Sequence, residues 1–378
     1  MKDKRIVLGS LFGDEGKGNT VQFLCKEELT RGIMPLVVRF SGGSQCGHRV
    51  VHEQMEHICS LLGSGVLLGC PTYLDEQVMI DPISLKNEWE LLNSKYGLEP
   101  KVYIHPNCRI ITPDDIYRNM KNSETLQHGS CGCGIYECFK RYKKYPIHNS
   151  VYKAVGFPGQ FMTKIGGVHH DAKEFKSACK WMKKHCGVWR LDQIDNDYES
   201  LIFEGSQGLL LDMENGFMPN CTPTKVGLNG VPKQYLNEAE VYLVMRSYLT
   251  RHGNGYEPKS GDVIRDLYKN IDEPTNPDDS VQGKFKIGVF EIQLLRDAFM
   301  RHCLDNYQRL YNIKFNIVMT HMDCTQDDHI LAINGDSPIM DIDVFDALLN
   351  RCKQCIKINN IYLSYSSDST NFKKISLC

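Results

Sequence analysis

Short apolar runs, closed off by glycine or proline, set the rhythm of this chain. Residues 6–8, 102–104 and 109–111 read as brief buried strands. Residues 37–51 read as strand, glycine-rich turn and strand. The runs within 57–69 and 77–82 also read as buried strands joined by turns. Two later runs, starting at Leu201 and Phe315, end in polar residues as strands that feed a site do. Helical spacing is rarer. It appears from Val21 onward and at Leu85, Trp89 and Leu92, and residues 150–200 are polar and helix-like. Residues 256–281, rich in Asp, Pro, Asn and Lys, read as one long loop. Strands alternating with helices predict an α/β fold with a large, mostly parallel central sheet and flanking helices.

The first strand runs into Gly9-Ser-Leu-Phe-Gly-Asp-Glu-Gly-Lys-Gly18 and then into a helix. Gly9, Gly13, Gly16 and Gly18 permit a tight turn close to a ligand. Strand, glycine loop and helix together aim backbone N–H groups at a phosphate, giving a P-loop-like nucleotide-binding core. Lys17 adds a point charge for phosphate oxygens. It is not a Walker A loop, because Leu11 stands where the first glycine is required and Gly18 follows the lysine. Asp14 is out of place in a phosphate loop unless a metal or a proton transfer needs it. A second turn, Gln45-Cys-Gly-His-Arg49, puts His48 one element further on, a candidate acid contact to a phosphoryl oxygen.

These two stretches resemble the adenylosuccinate synthetase family, which carries Gly-Asp-Glu-Gly-Lys-Gly and then Asn-Ala-Gly-His-Thr. The first is intact as residues 13–18. The second keeps Gly47 and His48. Further resemblances follow in order. Gly129-Ser130-Cys131-Gly132 is similar to a Gly-Thr-Thr-Gly loop that grips a nucleotide 5′-phosphate, although a thiol cannot replace a threonine hydroxyl as a hydrogen-bond partner. Arg141, in a basic stretch at 139–145, is the nearest match to an arginine that reaches across a dimer interface; a solvated basic helix face fits it equally. Glu204-Gly-Ser-Gln-Gly208 resembles Glu-Gly-Ala-Gln-Gly, whose glutamine contacts the purine 6-oxygen, which implies that role for Gln207. Thr222 matches a phosphate-contacting threonine. Arg251 lies in a loop like the one near the nucleotide ribose. Asp323, at the end of the run from Phe315, matches an aspartate that reads guanine, with His321 in place of a lysine, and Ser366 falls in the base-contact loop. Where the family has four arginines for the aspartate carboxylates, this chain has only Lys284 and Lys286. Lysine lacks the bidentate fork, so recognition there is expected to be weaker or rearranged.

Composition narrows the classes. Of 378 residues, 42% are hydrophobic and 24% charged, ordinary values for a globular protein. The net charge of −2 gives no electrostatic case for nucleic acid or an acidic membrane. No apolar stretch reaches the ~18 residues of a membrane span, and a cytoplasmic location is expected. The 16 cysteines are scattered, which predicts reduced thiols. Cys352-Lys-Gln-Cys355 lacks the second pair a zinc site wants.

The resemblance runs from Gly9 to about Ser367, which implies a single domain over residues 1–378. It further implies a GTP-dependent ligase that joins L-aspartate to IMP through a 6-phosphoryl intermediate. Asp14, Lys17, His48 and Gln207 would act at the reacting centre. Gly13, Glu15, Gly16, Gly18, Asn19, Gln45, Ser130, Cys131, Arg141, Thr222, Arg251, Asp323 and Ser366 would bind nucleotides, and Lys284 and Lys286 would bind aspartate. Mg²⁺ would be held by Asp14 and the Gly47 carbonyl, and the chain would form a homodimer. Two alternatives stay open. One is a phage-type paralogue that joins aspartate to dGMP with ATP. The other is a non-catalytic nucleotide-binding switch, which would have no use for Asp14, His48 and Gln207 together.

Overall fold

The computed structural model describes residues 2–122, 130–144, 163–165, 168–170, 172–269, 271, 283–351 and 355–377, with the backbone alone at 163–165 and 168–170. Among these, ten strands form the main sheet. In chain order they are β1 Asp3–Gly9, β2 Leu36–Arg39, β3 Thr72–Leu74, β4 Val102–Ile104, β5 Cys186–Val188, β6 Ser200–Gly208, β7 Glu240–Arg246, β8 Lys314–Thr320, β9 Ile358–Ser364 and β10 Phe372–Ser376. Their order across the sheet is β5-β4-β3-β2-β6-β1-β7-β8-β9-β10. All neighbours are parallel except β9 and β10, which pair antiparallel at one edge.

A parallel sheet covered on both faces needs apolar residues on both, and the strand sequences supply them. Side chains alternate between the faces with period two. Ile6, Leu8, Val38, Phe203, Leu243, Phe315 and Ile317 enter one large core. Val7, Val37, Ile202, Tyr242, Val244 and Val318 enter another, against Val21, Leu24 and Cys25 of helix α1, Lys17–Thr30. Strand β1 lies between β6 and β7, so the carboxyl ends of β1, β6, β7 and β8 come side by side. In open α/β sheets that is where ligands bind.

The remaining helices obey local signals. In α2, Pro82–Tyr96, Asp81 caps the N-terminus by accepting from the Ile83 N–H at 3.0 Å, and Gly97 closes the helix in the left-handed region. Helix α3, Pro113–Lys121, opens with a reciprocal capping box between Thr112 and Asp115. Helix α4, Ile135–Lys144, packs against α3 and carries the basic stretch. Helix α5, Ala172–His185, lies on α2.

Three sequence expectations change. The run 61–69 is no strand. Its three glycines break it, and only a short 3₁₀ turn, Val66–Leu68, forms. The stretch 256–281 is not loop throughout, since helix α6, Gly261–Leu267, buries Ile264 beneath it. The segment 150–200 carries short strands as well as α5. Cys352, Gly129 and Gln282, each part of a motif read above, lie outside the described residues. The described cysteines are free, and most are buried. No described helix is long and apolar enough to cross a membrane.

Candidate active site

The carboxyl ends of β1, β6, β7 and β8 frame a cavity of about 390 Å³. Its floor is the glycine loop between β1 and α1. Gly16 stands at φ 86°, a left-handed conformation that ends the loop and starts α1 without a side-chain cap. The first N–H groups of α1 therefore remain for a ligand. A Cβ at Gly9 would lie 1.9 Å from Glu15 Oε2, so the loop folds onto β1 only because that side chain is missing.

Loop carbonyls are tied down from three sides. Arg246 Nε donates to Asp14 O, Thr320 Oγ1 to Glu15 O at 2.9 Å, and Thr250 Oγ1 to Gly13 O at 3.2 Å. The Glu15 carboxylate turns into the loop itself. It accepts from the Leu11 N–H at 2.5 Å and sits 3.4 Å from Lys17 Nζ. Burial raises its pKa, against the pull of Lys17. Glu15 thus positions the loop and Lys17. The Asp14 carboxylate accepts no hydrogen bond among the described residues and lines the cavity.

His48 reaches the same cavity from a strand of its own, His48–His52, and its Nδ1 bonds Glu204 on β6. Glu204 also accepts from Ser64 N at 2.9 Å and Ser64 Oγ at 2.5 Å, and lies 4.0 Å from Arg39 of β2. Sheet register makes this pair, because Glu204 and Arg39 are direct neighbours across β6 and β2. Burial alone would raise the Glu204 carboxyl. The Arg39 charge and the bonds from His48 and Ser64 outweigh it and hold the pKa at about 2. Burial pushes His48 down to about 4 against the pull of Glu204. At neutral pH this gives an ionised Glu204 and a neutral imidazole whose Nδ1–H faces it, leaving Nε2 as the other functional nitrogen. Arg39 further donates to Leu62 O at 3.0 Å and Cys46 O at 3.3 Å, fixing the turns on either side of His48. Glu88 of α2 holds the turn before Ser64 through the N–H groups of Ser60 (2.9 Å) and Leu61 (2.8 Å). Its cluster with His57 and Cys59 has the composition of a metal site. Those backbone bonds engage both Glu88 oxygens, however, and burial keeps the Cys59 thiol protonated, so the cluster acts as a clamp.

Among the described cavity residues, Asp14 (φ 55°), Gln207 (φ 61°) and His321 (φ 59°) are non-glycine residues in the left-handed region. Such backbone costs about 1–3 kcal/mol each and clusters at functional sites. Gln207 Nε2 rests 3.7 Å from Cys46 Sγ, a weak partner that a better acceptor can replace. The far end holds Asn19, His321, Asp323, Ser366 and Ser367. Asn19 Nδ2 donates to Ser364 Oγ (3.2 Å) and Ser366 O (3.0 Å), tying α1 to the loop after β9. His321 is held well below its ordinary pKa by burial and then by Arg246, so it adds no charge beside Asp323, whose carboxyl burial raises.

Of the residues singled out in the sequence, Gly13, Asp14, Glu15, Gly16, Lys17, Gly18, Asn19, Gln45, Gly47, His48, Gln207, Arg251, Asp323 and Ser366 all line this cavity. Ser130, Cys131, Arg141, Thr222, Lys284 and Lys286 do not. Ser130 Oγ bonds Asn119 at 3.1 Å. Arg141 forks onto Asp115 at 2.8 and 2.6 Å and donates to Ile110 O, so its guanidinium braces α4 against α3 within its own chain. Thr222 Oγ1 pairs with Thr224 at 3.4 Å. Lys286 bonds Glu257, and Lys284 is exposed. The sequence reading assigned no role to Arg39, Glu204, Ser64 or Arg246. A signal existed for the first two, since each is a charge closing an apolar strand run.

The profile of the family described as Adenylosuccinate synthetase matches residues 6–327. The adenylosuccinate synthetase of Buchnera aphidicola subsp. Baizongia pistaciae is 27% identical over 351 residues, 83% of this chain and 80% of that one. That of Streptomyces griseus is 27% identical over 69% of this chain and 67% of its own. Two solved structures share the fold. Fully ligated adenylosuccinate synthetase from Plasmodium falciparum superposes with a TM-score of 0.69 at 16% identity, covering 98% of this chain and 99% of that one. The succinoaminodeoxyadenylate synthetase of cyanophage S-2L, bound to dGMP and dATP as an energy donor, gives 0.64 at 15% identity, covering 99% and 95%. With its matched profile and its glycine loop, histidine turn and Glu-Gly-Ser-Gln-Gly strand end meeting in one cavity, the chain belongs to the adenylosuccinate synthetase family.

Proposed function

We propose that this chain ligates L-aspartate to IMP with GTP as phosphoryl donor, forming adenylosuccinate. The observation that carries the proposal is the convergence of Asp14, Lys17, His48 and Gln207, from three separate segments, on one cavity. A nucleotide-binding switch needs the phosphate loop but not the other three.

In the first step the Asp14 carboxylate takes the N1 proton of the purine. The 6-oxygen attacks the γ-phosphorus, the O6–P bond forms, and the bond to the β–γ bridging oxygen breaks to release GDP. Gln207 offers its amide N–H groups to the 6-oxygen without surrendering a proton. Lys17, poised by Glu15, and the N-terminus of α1 neutralise phosphate charge. His48 sits between ionised Glu204 and the transferring phosphoryl group. Two flanking anions favour its imidazolium form, so ligand binding should raise a pKa that burial has lowered. In the second step the amine of aspartate attacks C6, the C6–O bond breaks to release phosphate, and the attacking nitrogen loses a proton to the departing phosphate or to solvent.

The oxygen donors facing the cavity suit a hard divalent cation. The Asp14 carboxylate and the Gly47 carbonyl would hold Mg²⁺; Gln45, whose buried Oε1 has no hydrogen-bond donor, lines the same cavity. Bound there, the ion would supply charge neutralisation to the phosphates.

A second reading, in which dGMP is the acceptor and ATP the donor, comes from the other fold neighbour: the cyanophage enzyme, bound to dGMP and to dATP as an energy donor, covers 99% of this chain. Phosphate release with Mg²⁺ and L-aspartate, measured across IMP or dGMP paired with GTP or ATP, decides between them. Aspartate-dependent release with IMP and GTP, and a product of the mass of adenylosuccinate, supports the proposal. Release confined to dGMP and ATP moves the chain to the second reading.

A further inference from the structure

The cavity contains a buried cation that the phosphate chemistry leaves unused. Arg251 ends the short strand Leu249–His252, which pairs antiparallel with Phe285–Gly288. The residue is only 6% exposed. Two backbone carbonyls, Asn220 O at 3.3 Å and Asn254 O at 2.6 Å, accept from one of its nitrogens. Its Nε is buried without any acceptor, and its flat face lies over the Phe12 ring at 5.1 Å. No carboxylate pairs with it among the described residues. A guanidinium held dry, stacked and short of an acceptor is a site waiting for an anion.

Substrate chemistry limits what that anion can be. The phosphates of the donor have Lys17, His48 and the start of α1. What remains among the proposed substrates' anions is the amino acid's carboxylates and the acceptor's monophosphate. The residues expected to hold the carboxylates are poorly placed. Lys284 is exposed, Lys286 is engaged by Glu257, and neither lines the cavity. Arg251 stands directly opposite Lys286 in the hairpin register, and directly opposed residues share a sheet face. Of this opposed pair, Lys286 turns to Glu257 and Arg251 lines the cavity.

We propose that Arg251 binds a carboxylate of the amino-acid substrate, taking over on the opposing strand the recognition that Lys284 and Lys286 cannot deliver. This rests on the ligase reading for the identity of the amino acid. It departs from the sequence expectation that Arg251 serves the nucleotide ribose.

The test compares wild type, R251K and R251Q in steady-state turnover and in calorimetric titration with succinate, a dicarboxylate that lacks the reacting amine. R251Q should raise KM for L-aspartate at least ~10-fold, the cost of a lost charged hydrogen bond. KM for either nucleotide should move less than about threefold, and R251K should fall between, because it keeps the charge but not the fork. Succinate should bind wild type and not R251Q. A rise in the acceptor nucleotide's KM instead of aspartate's would assign Arg251 to the monophosphate and overturn the proposal, as would an aspartate KM unmoved in a folded R251K and R251Q. Should wild type ligate nothing, the ligase reading fails by itself, and Arg251-dependent succinate binding still separates a carboxylate site from none.

Discussion

Replacing Glu204 with glutamine should damage both the fold and the reaction, and the two losses can be separated. The carboxylate is fully buried and takes bonds from His48 Nδ1, Ser64 N and Ser64 Oγ, with buried Arg39 at 4.0 Å. Glutamine keeps the shape but loses the charge, and its NH₂ must face at least one of those donors. Removing one partner of a buried ion pair costs about 3–5 kcal/mol because the other charge is left stranded. Urea unfolding of E204Q should show a loss of that order. The kinetic effect is distinct. Without the charge behind it, His48 is harder to protonate, so kcat should fall by ~10²-fold or more, the typical reach of a positioned acid. The alkaline limb of the kcat–pH profile should move to lower pH. E204D, which keeps the charge, should recover part of both. A folded E204Q with kcat within about threefold of wild type and an unmoved pH profile would refute the role given to the Arg39–Glu204–His48 chain.

Other outcomes follow from the same geometry. D14N should abolish turnover while nucleotide affinity, by titration with GTP, stays close to wild type. H48N should lower kcat by at least ~10²-fold in a stopped phosphate assay. Glu204 ionises near pH 2 when folded against an ordinary 4.5, so its stabilising contribution is complete above 4.5 and is lost as pH falls towards 2. Acid unfolding followed by circular dichroism should show that loss, flattened in E204Q. G16A must adopt φ 86° with its Cβ 2.9 Å from Thr320 Cγ2, and should lose about 1–2 kcal/mol in urea along with most turnover. Phe315, fully buried in the larger core, should cost about 3–5 kcal/mol as alanine by the same measurement.

How much of this was legible in the sequence depended on range. The run Ile6–Leu8 followed by spaced glycines foretold strand, loop and helix, because that signal is local and the glycines have one steric meaning. The same held for Gln207, near the end of its strand, and for Asp323, just after one. What the sequence hid was pairing. Arg39 and Glu204 are 165 residues apart, and only the adjacency of β2 and β6 makes them an ion pair. Nor did the motif show that the Glu15 carboxylate turns inward to Leu11 and Lys17. Nor did it show that α3 presents Asp115 to Arg141. Lys286 and Arg251 face each other across one hairpin, and it is Glu257, 29 residues away from the lysine, that draws Lys286 aside while Arg251 lines the cavity.

Transfer of the purine's own oxygen is the claim on which the rest depends. IMP labelled with ¹⁸O at C6, incubated with the protein, GTP, Mg²⁺ and L-aspartate, tests it directly by mass spectrometry of the released phosphate. The account predicts one labelled oxygen per phosphate, in step with adenylosuccinate formed. Phosphate released without label would mean that water, not the purine, attacked the γ-phosphorus, and would contradict the ligase mechanism built on Asp14, His48 and Gln207.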